Sequence, residues 1–232
     1  MAKNKNKIIC IVQARMGSTR LPGKMMAKIG NKPILQHVIE RLALCKHVDE
    51  VILATSTNPK DKILVKLAGS MGIKSFAGDE DDVLKRFYDA ARKFNADIIV
   101  RVPGEEPFID PGLVDLGIDI HLKSNADYTS TIINRKLIKG LDFEIFTFKT
   151  LERINALDKD ISSREHVTAY ILKNPSIFKM TACDFEKRYW LKDVSLCVDT
   201  QEDLEKLRKI YDDLSKKKSF FAAEGIIDYL NS

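Results

Sequence analysis

The residues best suited to chemistry are concentrated in one short segment near the amino terminus. The segment ARMGSTRLPGK, at positions 14–24, contains two arginines, one lysine, two hydroxyl side chains and two glycines. Glycine lets the backbone approach an anion closely, and arginine and lysine donate charge-assisted hydrogen bonds to phosphate oxygens. The segment therefore predicts a polyphosphate-binding loop, and a solvated basic loop is the weaker alternative.

This loop differs from two familiar phosphate-binding motifs. A Walker A loop has four residues between its glycines and a Ser or Thr after its lysine. Here five residues separate Gly17 from Gly23, and Met25 follows Lys24. The GxGxxG dinucleotide fingerprint is absent from the segment as well. The predicted phosphate site is therefore of another kind.

Two acidic segments are candidates for a metal site. RVPGEEPFIDP spans 101–111, and VDTQEDL spans 198–204. Taken alone, each is better explained by turns and helix caps, because Thr200 and the acids after it suit the start of a helix. Mg²⁺ takes one or two carboxylates and completes its shell with water and substrate phosphate oxygens. Asp199, together with the pair at 105–106, would supply those carboxylates.

Alternating short apolar and longer amphipathic segments must position these loops. Buried strands are predicted at 8–12, 51–54, 73–76 and 97–102, and helices at 33–42, 59–71, 81–94 and 111–123. This alternation predicts an α/β fold with a mostly parallel sheet. Ligands of such sheets bind beyond the carboxyl ends of the strands, which is where the loop at 14–24 lies.

The rhythm changes between about residues 126 and 190. DYTSTII and FEIFTF alternate as extended, antiparallel elements do. Helices are predicted at 149–156, 163–173, 201–216 and 222–229, and strands at 178–182 and 194–198. No linker rich in Gly, Ser or Pro marks a boundary, so we expect one domain over 1–232 with an excursion at about 126–190. Residues 1–7 are expected to form a flexible leader.

Composition excludes several classes of protein. With 232 residues, 44% of them apolar and 31% charged, the chain is typical of a globular protein. Its four cysteines and four histidines show no metal-ligand spacing, and no secretory signal or membrane-length apolar run is present. We therefore expect a reduced, cytoplasmic protein without membrane insertion. The net charge of +5 suits anionic ligands but does not indicate nucleic acid.

Six motifs occur along the chain in the order ARMGSTRLPGK, GDEDDVLKRFYDAA, RVPGEEPFIDP, GLDFEIF, REHVTAYI and VDTQEDL. Together, from about Ile8 to Leu214, they resemble the cytidylyltransferase family of CMP-KDO and CMP-acylneuraminate synthetases, in particular its spore-coat-polysaccharide branch. The resemblance implies a Rossmann-like nucleotide-diphospho-sugar transferase fold, with a small protruding lobe used in homodimerisation. It also implies Mg²⁺-dependent transfer of CMP from CTP to an acidic or modified sugar, releasing pyrophosphate, for surface polysaccharide or glycoconjugate synthesis.

The resemblance also bears on individual residues. We expect the nucleotide to contact Ala14, Arg15, Gly17, Ser18, Arg20, Lys24, Arg86 and Arg101. Arg15, Lys24 and Asp199 are the expected catalytic residues. Mg²⁺ is expected to bind Glu105 and Asp199, although Glu105 stands where the family has the aspartate of Gly-Asp-x-Pro and reaches one methylene further. The expected acceptor-binding residues are Asp142, Glu144, Arg164, Glu165 and His166.

Some alternatives stay open at this point. Asp142 and Glu144 fit an ordinary half-buried strand equally well, and Glu165 fits a structural role or a dimer contact. The same chemistry with another nucleotide, such as GTP, is the first alternative function. A second is a glycosyltransferase, although those enzymes usually hold metal through DxD, where this chain has Gly-Glu-Glu-Pro. A third is a non-catalytic nucleotide-binding protein, because Glu105 replaces the usual aspartate.

Overall fold

A seven-stranded sheet organises the chain, in the strand order β5-β4-β1-β6-β8-β7-β9. The computed structural model describes residues 6–191, 194–216, 218 and 220–232. The strands are β1 Ile8–Gln13, β2 Lys28–Ile29, β3 Lys32–Pro33, β4 Glu50–Ser56, β5 Lys74–Gly78, β6 Ile98–Pro103, β7 Tyr128–Ser130, β8 Glu144–Thr147 and β9 Met180–Ala182. The α-helices are α1 Ile34–Leu42, α2 Lys62–Ser70, α3 Val83–Lys93, α4 Pro111–Ser124, α5 Phe148–Leu157, α6 Ile161–Arg164, α7 Ala169–Lys173, α8 Gln201–Ser215 and α9 Ala223–Leu230.

The strand pairing confirms the predicted α/β fold. β1 pairs in parallel with both β4 and β6, and β4 pairs in parallel with β5. β8 is antiparallel to both of its neighbours, β6 and β7, whereas β7 and β9 are parallel. Strands β2 and β3 form a separate antiparallel hairpin. The predicted mostly parallel sheet is therefore correct, and β8 is its one reversed strand among the described residues.

The continuous apolar run of β1 is explained by helices on both faces of the sheet. Ile8, Cys10 and Val12 pack into one apolar cluster with side chains of α1, α4, α8 and α9. Ile9 and Ile11 pack into the other cluster with side chains of α3, α5 and α7. Successive strand side chains point to opposite faces, so a strand covered on both sides needs apolar residues at every position.

Side-chain caps set the first residues of α3, α4 and α8, the helices that follow the loops at the carboxyl ends of the strands. Thr200 and Asp203 form a reciprocal capping box at the start of α8, as the sequence predicts for Thr200. Asp82 accepts a hydrogen bond from the backbone N–H of Lys85 and caps α3, and Asp110 caps α4 in the same way. The acidic residues that precede these helices are thus used to start them.

Two predicted elements differ from those found. The helix expected at 163–173 is two short helices, and the break between them turns Thr168 toward the buried carboxylate of Glu144. The strand expected at 194–198 does not form with any described segment. Ser195 makes a single isolated bridge to Lys139. The backbone bonds of this segment go to loops instead, since Val198 N donates to Glu105 O.

The excursion at 126–190 is joined to the central sheet. Its strands β7, β8 and β9 extend the sheet beyond β6, so they form no separate layer of their own. Several apolar side chains of its helical part are exposed, and Ile161 is 77% exposed. The predicted use of this region in dimerisation stays a prediction, and exposed apolar residues support it.

The structure bears on the predictions about the amino-terminal residues and the cysteines. Residues 1–5 of the predicted leader lie outside the described residues, and Lys7 is held by a bond from its backbone N–H to Asp97 Oδ2 of 2.7 Å. All four cysteines are buried and unpaired. Among the described helices, none has the length and apolar character needed to cross a lipid bilayer.

We expect Gly140→Ala to destabilise the protein strongly. Gly140 has φ of +99°, and a Cβ there would lie 2.5 Å from the backbone carbon of Leu196. The left-handed conformation alone costs about 1–3 kcal/mol for a residue with a side chain, and the backbone contact adds to it. Chemical unfolding should show the loss. The control is Gly69→Ala in α2, whose added Cβ meets nothing within 4 Å; equal stability of both variants would contradict the argument.

Candidate active site

The loop after β1 is shaped by a tight turn and by one buried carboxylate. Gly23, with φ of 74°, begins a short 3₁₀ turn at Lys24–Met26. Asp61 accepts a hydrogen bond from Met16 N at 2.7 Å and another from Ser56 Oγ at 2.6 Å. Asp61 therefore ties the loop to the end of β4.

The loop surrounds a polar cavity of about 270 Å³ beyond the carboxyl end of β1. The cavity is lined by Gln13, Ala14, Arg15, Gly17, Ser18, Thr19, Arg20, Lys24, Met25, Glu105 and Asp199. All six nucleotide contacts predicted within the loop are in this set, as are both predicted metal ligands. The structure thus brings together three segments that are far apart in the sequence.

Asp199 is the point on which the cations of the loop converge. Lys24 Nζ lies 3.0 Å and Arg20 Nη2 2.9 Å from Asp199 Oδ1, and Lys139 Nζ lies 3.6 Å from Oδ2. Burial alone would raise the pKa of Asp199, but Lys24, Arg20 and Lys139 outweigh it and lower the pKa. The carboxylate is therefore ionised at neutral pH.

Lys24 is held more rigidly than the other cations of the loop. Its side chain is buried, with 8% of the residue exposed, and Nζ also donates to Val198 O at 2.9 Å. A buried ammonium with fixed partners has few alternative positions, so little reorganisation is needed when it meets a phosphate oxygen.

The two predicted metal ligands lie in one cavity, and the metal site stays a prediction. Glu105 lines the same cavity as Asp199, and its carboxylate makes no hydrogen bond or ion pair with any described residue. The described part of the chain contains no group of three or more His, Cys, Asp or Glu side chains placed to hold a metal ion. Two carboxylates suffice for Mg²⁺ when water and substrate phosphates provide the other ligands.

A second cavity, of about 200 Å³, adjoins the first through Glu105 and Asp199. Its walls are Arg101, Pro103, Glu105, Glu106, Ile132, Arg135, Lys139, Asp142, Phe143, Glu144, Cys197 and Asp199. Asp142 and Glu144, two of the predicted acceptor-binding residues, are therefore beside the candidate metal ligands. The carboxylates of Glu105 and Asp199 therefore lie at the boundary between the two cavities.

Glu144 is the centre of a buried polar network at the wall of the second cavity. Its carboxylate pairs with Arg101, and it accepts hydrogen bonds from Tyr128 Oη at 2.5 Å and from Thr168 Oγ1. Burial by itself would raise the pKa of Glu144, but Arg101, Thr168 and Tyr128 lower it. The network fixes one wall of the cavity, because each of these groups is committed to a partner.

Arg101, a predicted nucleotide contact, is held between Gln13 and Glu144. Its guanidinium donates to Gln13 Oε1, at 3.0 Å from Nη2, and pairs with Glu144. It lines the second cavity and not the cavity of the loop. The buried carboxylate of Glu144 holds the arginine at the second cavity, and the predicted nucleotide contact of Arg101 stays a prediction.

Arg86 and Arg164 line neither of the two cavities. Arg86 is fully buried and donates to the carbonyl of Asp79 at 2.6 Å, while its Nε and Nη2 have no partner among the described residues. Burial, and then the charge of Arg15, lower the pKa of Arg86 to about 10. Arg164 pairs with Asp82 at 2.9 Å and lines neither cavity. The predicted roles of Arg86 at the nucleotide and of Arg164 at the acceptor stay predictions.

Glu165 and His166 follow α6 and line neither of the two cavities. Glu165 Oε1 is 3.2 Å from Arg15 Nη2, in an exposed ion pair between α6 and the loop. His166 is exposed, and its backbone N–H donates to Ser163 O. Their predicted acceptor role stays a prediction, and the contact with Arg15 places Glu165 within reach of the nucleotide side.

Several site residues were not anticipated from the sequence. They are Gln13, Asp61, Tyr128, Arg135, Lys139 and Thr168. Arg135 and Lys139 immediately precede the GLDFEIF motif, so the basic run before that motif was the available signal. The others are polar residues whose partners become apparent only when distant segments meet.

We expect Glu106→Gln to change how stability depends on pH. Glu106 is buried and accepts a hydrogen bond from Asp142 N at 2.8 Å. Burial, then Asp142 and Glu105, raise its pKa far above the ordinary value. The folded state therefore binds the Glu106 proton more tightly than the unfolded state does. The resulting stabilisation of the fold is fully present below about pH 4.3 and is lost as the pH rises toward the folded pKa.

Glutamine stays neutral and keeps an oxygen for the Asp142 N–H. The variant should therefore gain stability relative to wild type as the pH rises from about 5 to 8, by roughly 1–3 kcal/mol. Urea unfolding at both pH values measures this difference. If the free energy of unfolding of the variant minus that of the wild type stays constant, or falls at high pH, the assigned direction of the Glu106 pKa shift is wrong.

The comparisons with known proteins agree with one another. The chain is 34% identical over 233 residues to the spore coat polysaccharide biosynthesis protein SpsF of Bacillus subtilis, covering 97% of this chain and 95% of that protein. A cytidylyltransferase of Leptospira borgpetersenii superposes with a TM-score of 0.88 and 31% identity, over 98% of this chain and 93% of that one. A CMP:2-keto-3-deoxy-manno-octonic acid synthetase complexed with CTP gives a TM-score of 0.68 at 20% identity, over 90% and 99% of the two chains, which shows a shared fold.

The family is shown by the extent of these matches. The cytidylyltransferase family matches residues 9–226, which include the phosphate loop, both candidate metal ligands and the second cavity. The resemblance predicted from the six ordered motifs is thereby confirmed. The chain belongs to the cytidylyltransferase family.

Proposed function

We propose that the protein transfers CMP from CTP to a hydroxyl group of an acidic or modified sugar, with Mg²⁺ as cofactor and pyrophosphate as the second product. The observation that carries this proposal is the arrangement around Glu105 and Asp199. These two carboxylates separate a cation-lined cavity from a second polar cavity. A phosphate donor and a hydroxyl acceptor would meet at that boundary.

The residues of the loop provide binding and electrostatic stabilisation. Arg15, Arg20 and Lys24 hold the triphosphate and stabilise the negative charge that develops on pyrophosphate as the acceptor oxygen attacks the α-phosphorus. Arg20 is 66% exposed and can exchange Asp199 for a phosphate oxygen without breaking any buried contact. Arg20 would thus exchange its ion pair with Asp199 for one with the bound triphosphate.

Glu105 and Asp199 are the residues that would hold the metal ion. When bound, Mg²⁺ neutralises phosphate charge and lowers the pKa of a coordinated hydroxyl. Asp199 is already ionised, because the surrounding cations lower its pKa. Glu105 supplies the second carboxylate from the opposite wall, free of competing partners among the described residues.

The second cavity supports an anionic sugar as the acceptor. Arg135 and Lys139 line it, and no carboxylate of a described residue pairs with Arg135. Asp142 lies in the same wall and accepts a hydrogen bond from Thr131 Oγ1 at 3.0 Å. A cation can pair with a sugar carboxylate, and the Asp142 carboxyl can bind sugar hydroxyls.

The wider role follows from relatives. The similarity to a spore coat polysaccharide biosynthesis protein supports a function in surface polysaccharide or glycoconjugate synthesis. We further propose a cytoplasmic homodimer that forms through the exposed apolar residues of the excursion at 126–190. The same chemistry with GTP is the second candidate, because cations that bind phosphate do not distinguish one base from another.

A panel of nucleoside triphosphates tests the proposal. Each is incubated with Mg²⁺ and a set of acidic and neutral sugars, and pyrophosphate is measured. Release that requires both CTP and an acidic sugar is the expected result. Release with GTP in place of CTP would favour the second candidate. Nucleotide binding without pyrophosphate release would favour a non-catalytic protein, and consumption of a ready-made nucleotide sugar would favour a glycosyltransferase.

A further inference from the structure

A third cavity, of about 250 Å³, is separate from the two active-site cavities and shares no lining residue with them. We call it the α1 cavity, after the helix that forms one of its walls. It is lined by Lys32, His37, Glu40, Arg41, Leu44, Phe108, Tyr211, Phe220 and Phe221. None of these residues has a part in the proposed reaction.

Arg41 is a buried cation without a counter-ion in this cavity. Only 7% of the residue is exposed, and no carboxylate of the described residues forms an ion pair with it. Its guanidinium donates to Phe221 O at 2.7 Å and to Ile109 O at 3.3 Å, and Nε makes no bond to a described residue. Burial lowers the pKa of Arg41 to about 10, so the group is still charged at neutral pH.

The other charges near Arg41 are already satisfied. Lys32 and Glu40 pair with each other at 2.6 Å. Asp110 is near enough to raise the pKa of Arg41, but its oxygens accept bonds from the backbone N–H groups of Leu113 and Ala223. Burial lowers the pKa of His37, whose ring is neutral at pH 7. Asp110 therefore compensates part of the Arg41 charge at longer range, and no carboxylate of a described residue is in ion-pair contact with the guanidinium.

Aromatic rings form the rest of the wall. The Arg41 Cζ atom lies 4.8 Å from the ring centroid of Phe220 and 5.1 Å from that of Phe221. Tyr211 meets Phe221 edge to face, with centroids 6.0 Å apart. Rings at these distances stabilise the guanidinium by cation–π attraction, and their remaining surface is available to a flat apolar ligand.

We propose that the α1 cavity binds a small organic anion, with its ring-sized apolar body against the aromatic walls and its carboxylate on Arg41. The cavity combines an aromatic wall with a few polar groups, as small-molecule sites do, and Arg41 is the charged side chain among them that has no ion-pair partner among the described residues. Leu44, at the rim, is 56% exposed, so the site opens to solvent at that point.

The test uses 2-naphthoate as the probe and its uncharged counterpart, 2-naphthylmethanol, in calorimetric titrations and ligand-observed NMR. We expect saturable binding of naphthoate and at least about tenfold weaker binding of the alcohol, since each tenfold is about 1.4 kcal/mol. Leu44→Glu, which adds a competing carboxylate at the rim, should weaken naphthoate at least about tenfold. Leu44→Lys, at the same exposed position, should preserve or strengthen binding.

Arg20→Ala distinguishes this site from the phosphate loop. The variant removes an exposed cation of the loop and leaves the α1 cavity intact, so naphthoate should bind it as it binds the wild type. The absence of saturable binding to the wild type would overturn the proposal. Equal binding to Leu44→Glu and Leu44→Lys, or loss of binding in Arg20→Ala, would overturn it as well. Because no nucleotide is used, these results do not depend on the proposed transferase activity.

Discussion

Lys24→Ala is expected to reduce CTP-dependent pyrophosphate release by about 10²- to 10³-fold, the usual effect of removing one preorganised charge-stabilising donor. Lys24 is the buried cation of the loop, held by Val198 O and Asp199. Its charge acts in a low-dielectric setting, where stabilisation of a developing negative charge is strongest. Steady-state assays with purified protein measure the change in kcat and KM.

Lys28→Ala is the matched control. Lys28 lies in β2, four residues after Lys24. It is exposed and lines neither active-site cavity. Its removal also lowers the net charge by one and should leave turnover near the wild-type value. Lys24→Arg keeps the charge but changes the length of the side chain, so it should recover part of the activity. Turnover of Lys24→Ala close to that of Lys28→Ala would disprove the assigned role of Lys24.

The loop after β1 could be predicted to line a site because its polar residues are close together in the sequence. Arg15, Ser18, Arg20 and Lys24 are within one short segment after a strand whose continuous apolar run is clear in the sequence. A loop in that position opens at the carboxyl edge of the sheet whatever the details of the rest of the fold. All four side chains accordingly line one cavity.

The arginines outside the loop could not be placed in the same way. Arg86, Arg101 and Arg164 have long side chains, and their direction depends on which carbonyl or carboxylate is nearest in the folded chain. For Arg101 that partner is Glu144, which lies 43 positions away and reaches it through the pairing of β6 with β8. Motif position alone does not give the register of an antiparallel neighbour.

The helix and strand boundaries show the same division between local and distant causes. Thr200 begins α8 through its own capping box, which four consecutive residues specify. The segment 194–198 reads as a strand because of its composition, but its backbone groups bond to loops that contain Lys139 and Glu105. Tertiary partners decided the structure there, as they often do for short apolar segments.

Asp199→Asn is expected to abolish metal-dependent turnover, with a loss of about 10³-fold or more, because it removes one of only two carboxylates proposed to hold Mg²⁺. Asparagine has nearly the same shape, so the change removes charge rather than volume. It also leaves the cations Lys24, Arg20 and Lys139 without their shared partner. The bound triphosphate should therefore be held at least as tightly, while the chemical step fails.

Mn²⁺ binding followed by electron paramagnetic resonance in the presence of CTP gives a readout that is independent of turnover, and Asp199→Asn should weaken that binding at least about tenfold. Asp212→Asn, an exposed change on α8 that lines neither active-site cavity, is the control and should bind Mn²⁺ normally. Glu105→Gln should behave like Asp199→Asn, whereas Glu105→Asp, which keeps the charge, should retain metal. If Asp199→Asn and Glu105→Gln both bind Mn²⁺ as the wild type does, the metal is held elsewhere and the boundary between the two cavities is not the catalytic centre.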